Sequence, residues 1–514
     1  MKLKLPFRLP RLELYRTQFS RTKTDPRAVQ LRLLRQIMKK NKNTVYGKKY
    51  SFASLQTYED FASQVPQITY DDILPLVTRM ADGEKNVLVA DKVVFFATTS
   101  GTTSAPKLLP VTSTRKKNLQ KEAVLWTFYT FRNNPKALKG KLLYLAGPPD
   151  EGVTSGGIPK GSISGYTATL TPPFARSKLA VDFSVYNEMN FEKKLHLLAC
   201  QALVASLSQI GFATPIEIVR FFEYLQDNRE KLIVEVLRSH PRKARRLALL
   251  PDFRPHTIWP GLVQVNCIMG PAQQPYLETV KSYFDKPVVF RDPGIYASEA
   301  RLSLGICKEP TFGVLLLHQV FYECIDVQTK KIVLAHEVEL NKEYALCITT
   351  KEGLYRYLMG DVVRIVGFKK KLPLVEFVSR ENFLNIVGEL CSEQVLIEVV
   401  EQAKKEFGYS FAFYTFLPYT LEKSSLPSYQ LLVEGEVDHS FFDRVEELLC
   451  SQSLDYGQMR NEFGRLGPLR GGVVSKESYL AFEESRRGQP KPLRIGKEVL
   501  RDHFEIVDSY VSLK

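Results

Sequence analysis

The sequence predicts an α/β protein with a large N-terminal domain of mixed sheets that includes a β-barrel-like part, followed by a smaller α+β C-terminal domain. The chain has 514 residues, and domains of about 150 residues would give it two to four. Helical and strand-like stretches alternate through its middle, which is typical of a mixed α/β body. Three short β-rich runs follow Lys342, and a further alternation of helices and strands closes the chain.

The composition is that of an ordinary globular protein. Hydrophobic residues make up 44% and charged residues 25% of the chain, a balance that disordered and fibrous proteins lack. No run approaches the roughly 18 consecutive apolar residues of a membrane-spanning helix, and basic residues interrupt the leucines of the N-terminus. We therefore expect an unprocessed, cytoplasmic protein.

Cysteine and histidine patterns indicate neither a disulfide framework nor a zinc site. The seven cysteines and seven histidines are dispersed, without a Cys-x-x-Cys pair or a His-x-x-x-His spacing. We expect reduced thiols and no metal held by a dedicated cage of protein ligands.

The net charge of +15 is concentrated at the N-terminus. Residues 1–50 contain 15 lysines and arginines against Glu13 and Asp25, which leaves +13 there and +2 in the remaining 464 residues. A nucleic-acid site would place its cations in a groove among aromatic side chains, so we expect no nucleic acid partner. The basic arm is interpreted first as a solvated face and second as a weak contact with acidic lipid headgroups.

The elements follow from the periodicity of apolar residues, taken in order. Helical spacing predicts an amphipathic helix from Pro26 to Lys40. VVFFA, a Ser/Thr/Gly loop and LLPVT predict strand, loop and strand between residues 91 and 112. Helices are predicted over Phe191–Ile210 and Pro215–Arg238, interleaved with the strands VQVNCIM, PVVFRD and GVLLLH.

The last third of the chain predicts a domain boundary near Arg380. YALCITT, VVRIVGF and LVEFVSR predict a β-meander or small barrel. A helix over residues 392–407, the strands FAFYTF and YQLLVEG, and a helix over Phe441–Ser451 then predict a compact α+β unit. The predicted domains are therefore residues 1–379 and 380–514.

The first candidate motif is TTSGTTSAPK, residues 98–107, directly after a predicted strand. Closely spaced backbone N–H groups and hydroxyls suit the oxygens of a polyphosphate, and Lys107 adds a mobile cation. It is not a Walker A loop, because G-x-x-x-x-G-K-[ST] is absent. A polar turn between two strands is the alternative interpretation.

Two further motifs also flank predicted strands. GIYASEA, residues 294–300, offers an aromatic ring, a hydroxyl and a carboxylate that suit adenine, phosphate and magnesium; alternatively, Ser298 caps a helix that begins at Glu299. YLMGDVV, residues 357–363, offers Asp361 in a glycine-containing turn, where a carboxylate can accept both hydroxyls of a ribose. By itself this third motif is only a Gly-Asp turn.

In this order the motifs resemble the adenylate-forming superfamily of acyl-CoA synthetases, adenylation domains and luciferases. Within it, the sequence resembles the acyl-acid amido synthetase family, known from auxin-responsive proteins of plants and from bacterial relatives. The resemblance spans almost the whole chain and is carried by NTVYGKKYSF (43–52), TTSGTTSAPKLLPVT (98–112), YASEA (296–300), GLYRYLMGDVVRIVGF (353–368) and FVSREN (377–382).

The resemblance implies a role for each matching residue. The phosphate loop would comprise Ser100, Gly101, Thr102, Thr103 and Lys107. Tyr296 and Ser298 would form the adenine corner, and Glu299 would be the acidic position associated with magnesium. Asp361 would bind the ribose, and Arg380 would be the arginine on the hinge side of it.

The resemblance also implies a mobile C-terminal domain that carries a catalytic lysine to the α-phosphate. Lys491 matches that lysine, and a solvated lysine in a proline-rich loop is the alternative. The chain departs from the family in having no lysine between Lys371 and Lys404, where relatives commonly carry one after the hinge. The phosphate loop lacks the second glycine that acyl-CoA synthetases usually have, which favours the amido synthetase branch.

The implied reaction uses ATP and Mg²⁺ to activate a small carboxylic acid as an acyl adenylate and then to transfer the acyl group to an amino acid. The acyl pocket is expected between residues 190–270 and the adenine corner, because an aromatic or aliphatic acid requires apolar walls. Two alternatives stay open: an acyl-CoA ligase, and a degenerate family member that binds ligands without catalysis.

Overall fold

The structure is a computed structural model that describes residues 25–98, 107–188, 190–270, 273–306, 312–380, 383–384, 386, 391–419, 426–462, 466–485, 493–496 and 498–512. The described residues form two compact units that separate between Phe377 and Val378. None of the helices in these ranges combines the length and apolar character that a bilayer crossing requires. Most of the basic arm lies outside the described residues. The interpretation of this arm as a contact with lipid headgroups therefore stays a prediction.

The helices of the first unit are α1 Pro26–Asn41, α2 Val45–Lys49, α3 Tyr58–Gln64, α4 Tyr70–Ala81, α5 Ser113–Asn133, α6 Ile163–Thr169, α7 Pro173–Arg176, α8 Phe183–Tyr186, α9 Phe191–Val204, α10 Pro215–Asp227, α11 Arg229–Ser239, α12 Pro241–Ala248, α13 Pro255–Ile258 and α14 Gln274–Ser282, with a 3₁₀ turn at Pro135–Leu138. The predicted helix α1 is confirmed, and it begins where the Asp25 carboxylate accepts the N–H of Ala28 at 3.0 Å. The helix predicted to Ile210 instead ends at Val204, because residues 207–211 form a strand.

The strands of the first unit are β1 Val93–Thr98, β2 Leu108–Thr112, β3 Lys141–Tyr144, β4 Lys160–Ser162, β5 Leu207–Gly211, β6 Gln264–Asn266, β7 Val289–Arg291, β8 Ser303–Leu304, β9 Gly313–Leu315, β10 Phe321–Asp326, β11 Ile332–Leu334, β12 Glu343–Thr349, β13 Tyr357–Lys369 and β14 Leu372–Arg380. They form a three-stranded sheet (β2-β1-β4), a four-stranded sheet (β3-β5-β6-β7) and a seven-stranded sheet (β11-β10-β12-β13-β14-β9-β8).

Each sheet carries one candidate motif, two of them at strand ends and the third within strand β13. Strands β1 and β2 are antiparallel with Thr98 opposite Leu108, which confirms the two predicted strands; residues 99–106 of the loop between them lie outside the described residues. Neighbouring strands of the four-stranded sheet are parallel, so their carboxyl ends share one edge. The segment that leads to Tyr296 follows β7 at that edge. In the seven-stranded sheet β12, β13 and β14 are consecutive neighbours, which confirms the predicted meander.

The first unit has two hydrophobic clusters. One packs α1–α4 against the three-stranded and seven-stranded sheets, and the other surrounds the parallel sheet with α9–α11. A side chain is sterically excluded at Gly353, which has φ +100° and whose added Cβ would lie 2.8 Å from the Cβ of Leu88. The stretch before the third motif is therefore packed closely onto the first cluster.

The second unit contains α15 Glu393–Phe407, α16 His439–Gln452, α17 Leu454–Gly457 and α18 Lys476–Ser485, a π turn at Gln458–Glu462, a 3₁₀ turn at Glu498–His503, and the strands β15 Phe383–Leu384, β16 Cys391–Ser392, β17 Tyr414–Tyr419, β18 Ser428–Glu434, β19 Arg470–Val474 and β20 Ile506–Val511. The predicted helices over 392–407 and Phe441–Ser451 are confirmed by α15 and α16. The strand predicted at FAFYTF begins three residues later, at Tyr414.

Candidate active site

The first motif connects the paired ends of β1 and β2. Because Thr98 pairs with Leu108, both ends of the intervening loop are fixed at one place in the three-stranded sheet. Ser100, Gly101, Thr102 and Thr103 lie outside the described residues. Lys107 is described; it is partly buried and directly precedes β2, at the carboxyl end of the loop.

Tyr70, the first residue of α4, holds the carboxyl end of this loop. Its hydroxyl accepts the N–H of Leu108 at 2.7 Å and donates to the carbonyl of the same residue at 3.2 Å. The ammonium nitrogen of Lys107 lies 5.2 Å from the centre of the Tyr70 ring, within the range of a cation–π contact. Tyr70 therefore positions both the backbone and the cation at the end of the first motif.

Ile68, two residues earlier, holds the start of the third motif. Its N–H donates to the carbonyl of Arg356 at 3.0 Å, and its carbonyl accepts the N–H of Leu358 at 2.8 Å. The short segment Ile68–Tyr70 thus forms hydrogen bonds both with the start of the YLMGD strand and with Leu108, just after the first motif. Two parts of the chain that are far apart in the sequence therefore form hydrogen bonds with the same short segment.

Asp361 lies within strand β13, in a bulge rather than in the turn that the sequence predicted. Ala345 pairs with Val362 and Cys347 with Leu358, so three residues of β13 stand opposite Leu346 alone. Gly360 has φ +71°, which glycine adopts without a steric penalty. The strand continues through the Gly-Asp pair because the bulge absorbs the extra residues, and it leaves the Asp361 side chain 2% exposed.

The second motif forms a tight hairpin loop. Tyr296 and Arg301 pair as an antiparallel bridge, and the N–H of Ala297 donates to the carbonyl of Ala300 at 3.0 Å. Ser298 and Glu299 lie at the tip and are partly exposed. The alternative interpretation, in which Ser298 caps a helix, is wrong because the next regular element is the strand β8.

Tyr296 is fixed at both its ring and its hydroxyl. The hydroxyl lies 2.6 Å from the Thr167 hydroxyl of α6, and the Arg301 guanidinium carbon lies 5.1 Å from the ring centre. Burial raises the pKa of Tyr296, while Arg115 and Thr167 oppose the shift. The phenol is therefore neutral at physiological pH and its ring is held in one orientation.

A buried group of charges near Tyr296 was not among the residues that the sequence motifs indicated. Arg115 and Glu122, two turns apart on α5, form an ion pair at 2.7 Å with side chains 5% and 2% exposed. Burial opposes the charged form of Arg115, but Glu122, Tyr296 and Glu352 raise its pKa on balance. Burial raises the pKa of Glu352, with Arg115 and Lys351 opposing. Arg115 thus links the second motif to the residues before the third; its only sequence signal is the helical spacing of seven from Glu122.

Among the described residues, the predicted site residue Arg380 belongs to the second unit. Arg380 is the last residue of β14, and its side chain lies outside the described part of the structure. Lys491 also lies outside the described residues.

The acidic side chains of the candidate site suit a Mg²⁺ ion that is bound mainly by substrate phosphates and water. Within the described ranges, no group of three or more His, Cys, Asp or Glu side chains could hold a metal ion. Mg²⁺ is usually bound by one or two carboxylates together with water and substrate phosphates. Glu299, a carboxylate at an accessible hairpin tip, fits the role of a single protein ligand.

Residues 15–289 match the family model "GH3 family N-terminal domain" and residues 313–380 match "GH3 family central domain". The chain belongs to the GH3 family. The first match covers more than half of the sequence and includes the first motif, and the second includes YLMGD.

Full-length relatives and structures extend this assignment. The GH3 chain is similar to "Indole-3-acetic acid-amido synthetase GH3.4" of Arabidopsis thaliana, 25% identical over 558 residues that cover 95% of this chain and 92% of the relative. Its fold is similar to "GH3.15 acyl acid amido synthetase", with a TM-score of 0.82 at 19% identity and 96% coverage of both chains. A 2-hydroxyisobutyryl-CoA ligase structure matches at a TM-score of 0.55 and 13% identity, covering 92% of this chain and 90% of that one. The predicted family and the predicted adenylate-forming α/β fold are confirmed.

The anchoring role of Tyr70 in the GH3 chain leads to a prediction. Tyr70→Phe keeps the ring but removes both hydrogen bonds to Leu108, so we expect a KM for ATP about fivefold to tenfold higher with a smaller change in kcat. Tyr166→Phe is the control: its ring stacks on Phe95 at 4.0 Å between centroids, in the same core. Equal KM values for the two variants would contradict the anchoring role.

Asp292, just before the second motif, gives a pH-dependent prediction. Burial raises its pKa to about 6, although the N–H groups of Met269 and Gly294 donate to its oxygens at 2.8 and 2.6 Å. The folded protein therefore binds a proton more tightly than the unfolded chain, whose aspartate has a pKa near 3.8. The group's contribution to stability is full below about pH 4 and is lost as the pH rises to about 6, by at most about 3 kcal/mol.

We expect Asp292→Asn to remove this descending step from a plot of unfolding temperature against pH. An identical pH profile for the variant and the unmodified protein between pH 4 and 6 would show that Asp292 stays ionised when folded.

Proposed function

We propose that this GH3 chain is an ATP-dependent acyl-acid amido synthetase. It would adenylate a small carboxylic acid, transfer the acyl group to the amine of an amino acid, and release AMP and pyrophosphate. The observation that carries the proposal is the segment Ile68–Tyr70, which holds Lys107 and the start of the YLMGD strand together. The amido synthetase names of its relatives give the same reaction class.

In the first step, a carboxylate oxygen of the acid attacks the α-phosphorus of ATP. The bond from that phosphorus to the bridging oxygen breaks, and pyrophosphate leaves with the electron pair. The reactants are both anions, so the protein contributes mainly alignment and positive charge. Lys107, held beside the loop by Tyr70, supplies a cation at the phosphate tail, and the proposed loop residues Ser100, Gly101, Thr102 and Thr103 supply hydrogen-bond donors.

Nucleoside binding is assigned to the second and third motifs. Asp361 accepts the ribose hydroxyls from its bulge in β13, and Arg380 lies on the hinge side of the ribose. The fixed ring of Tyr296 and the hydroxyl of Ser298 form the adenine corner. A rigid corner lowers the ordering cost of binding, because the Tyr296 ring is already fixed by Thr167 and Arg301.

Glu299 is the residue proposed to hold Mg²⁺. When bound, the ion neutralises charge on the phosphate oxygens of ATP as pyrophosphate departs. The hairpin formed by residues 296–301 keeps the carboxylate at its tip, where it is partly accessible to a ligand.

In the second step, the unprotonated amine of the amino acid attacks the acyl carbon. The bond from that carbon to the AMP oxygen breaks, AMP leaves with the electron pair, and the nitrogen loses a proton to water. We place the reaction in the cytoplasm, where ATP and free amino acids are available.

The proposal is tested by measuring pyrophosphate release from ATP with a panel of aromatic and aliphatic carboxylic acids, each with and without amino acids. We expect release with at least one acid, and an acyl-amino acid product when an amino acid is added. A product formed only with coenzyme A would assign an acyl-CoA ligase instead. No release with any acid, from protein that still binds ATP, would indicate a binding protein.

Lys491 has a separate prediction within this scheme. Because it is assigned to the α-phosphate, Lys491→Ala should slow adenylate formation by about a hundredfold and amide formation from supplied acyl adenylate much less. Single-turnover kinetics of the two steps measure the difference. Lys405→Ala, at an exposed position of α15 in the same unit, is the control, and equal slowing of both steps by Lys491→Ala would contradict a role confined to the first.

A further inference from the structure

A cavity of about 380 Å³ lies at the amino ends of the parallel strands. Gly140, Ser206 and Val263 line it, and each is the residue directly before a strand of this sheet, β3, β5 or β6. Residues 292–302 follow the carboxyl end of β7, at the opposite edge. The cavity is therefore separate from the candidate active site and is not the acyl pocket expected beside the adenine corner.

The rim of this cavity is strongly basic. Lys136, Lys139, Lys243 and Arg246 line it, and none of the described residues that line it is acidic. Among the described residues none of these four side chains has an ion-pair partner, whereas many other basic residues of the unit do. Burial lowers the pKa of Lys243, and the charge of Arg246 adds to the shift. Lys136, Lys139 and Arg246 are exposed and Lys243 is half-buried. Like charges around one concave surface repel one another, and a bound anion would relieve that repulsion.

The floor of the cavity is apolar. Leu207, Ile258 and Trp259 line it and are at most 2% exposed. The indole N–H of Trp259 donates to the carbonyl of Ala202 at 2.9 Å, so the polar end of the ring is already satisfied. Because all three residues are almost completely buried, the floor of the cavity offers a ligand only a little hydrocarbon surface.

We propose that this cavity binds a phosphate group. The phosphate dianion lies among Lys136, Lys139, Lys243 and Arg246. Four cations match a dianion better than a singly charged carboxylate. The ligand is either a free phosphate ester or the headgroup of an anionic phospholipid.

The test uses the full chain and two probes. Phenyl phosphate, measured by calorimetry, represents a free ester. Vesicles of phosphatidylcholine with and without phosphatidic acid, measured by sedimentation, represent a headgroup. The test variant is Lys139→Glu with Arg246→Glu, and the matched control is Lys85→Glu with Lys92→Glu, which reverses two exposed charges in loops of the same unit. The basic N-terminal arm would itself attract anionic vesicles, so the criterion is the difference between the two double variants.

We expect the test variant to bind one of the probes about tenfold more weakly than the unmodified protein, and the control to bind it within about twofold. Loss confined to phenyl phosphate assigns a soluble ligand, and loss confined to phosphatidic acid vesicles assigns a lipid. The proposal is overturned if the unmodified protein binds neither probe, or if both double variants weaken binding equally. Unchanged pyrophosphate release by the test variant would confirm that the cavity is separate from the active site.

Discussion

Replacing Asp361 with alanine is expected to reduce adenylate formation by about a hundredfold to ten-thousandfold while the protein stays folded. Each hydrogen bond to a charged acceptor contributes about 1.5–3 kcal/mol, and the proposed site uses two of them on the ribose. Asp361→Asn keeps the shape and one acceptor oxygen, and it should fall between alanine and the unmodified protein.

The control for Asp361 lies on the same pair of strands. Glu343 of β12 pairs across the sheet with Arg364 of β13 at 2.6 Å, and Glu343→Gln also neutralises a carboxylate. We expect its pyrophosphate release to stay within about twofold of the unmodified protein. Thermal unfolding of all three variants separates lost binding from lost structure. If Asp361→Ala turns over normally, the residue does not belong to the nucleotide site.

Local sequence patterns predicted those elements of the fold whose cause is local. The helix at Pro26–Asn41 and the strands β1 and β2 follow from apolar spacing within one segment. The end of α9 at Val204 was missed because apolar residues continue through it, and the break at Asn228 was missed because Leu225 and Leu232 keep the seven-residue spacing of a helix across the polar run between them. At Val204 the chain leaves the helix to supply β5, which requires β3 as a partner. A single-segment pattern does not contain that information.

The same distinction applies to the residues of the candidate site: local sequence predicts some of them and not others. Lys107, Tyr296 and Asp361 lie in short motifs and could be found by reading along the chain. Ile68 and Tyr70 could not, because their role depends on hydrogen bonds to Arg356 and Leu108, which are distant in sequence. The sequence predicted a turn at the Gly360-Asp361 pair, and the bulge found there instead is visible only in the register with β12.

The second large effect is expected from Glu323, which lies beneath the third motif. Its carboxylate is fully buried and pairs with Arg356, whose Nη2 lies 2.8 Å from Oε1 and whose Nε donates to both oxygens at 3.0 and 3.1 Å. The Tyr58 hydroxyl donates to Oε1 at 2.9 Å. Arg356 also donates to the carbonyls of Ala62 and Val65 at 2.7 and 2.8 Å. The pair therefore joins α3 to β10 and to the residue before β13.

Glu323→Ala is expected to destabilise the first unit by about 3–5 kcal/mol, because it leaves the Arg356 guanidinium buried without its counter-charge. The unfolding midpoint should fall by on the order of 10 °C. Glu323→Gln, which retains hydrogen-bond acceptors for Arg356 and Tyr58, should be less destabilising. At temperatures near the unfolding midpoint, loss of the Glu323–Arg356 pair should also raise the KM for ATP. The reason is that Arg356 directly precedes β13, the strand that carries Asp361.

An exposed pair of the same geometry is the control for Glu323. Arg79 and Glu84 are joined by two hydrogen bonds at 2.7 and 2.6 Å, but their side chains are 42% and 45% exposed. Because water solvates either charge when its partner is removed, Glu84→Ala should barely change the unfolding midpoint. The contrast tests burial directly, since the two pairs share residue types and bidentate contact. Equal shifts for Glu323→Ala and Glu84→Ala would mean that burial does not determine the cost of breaking the Arg356 pair.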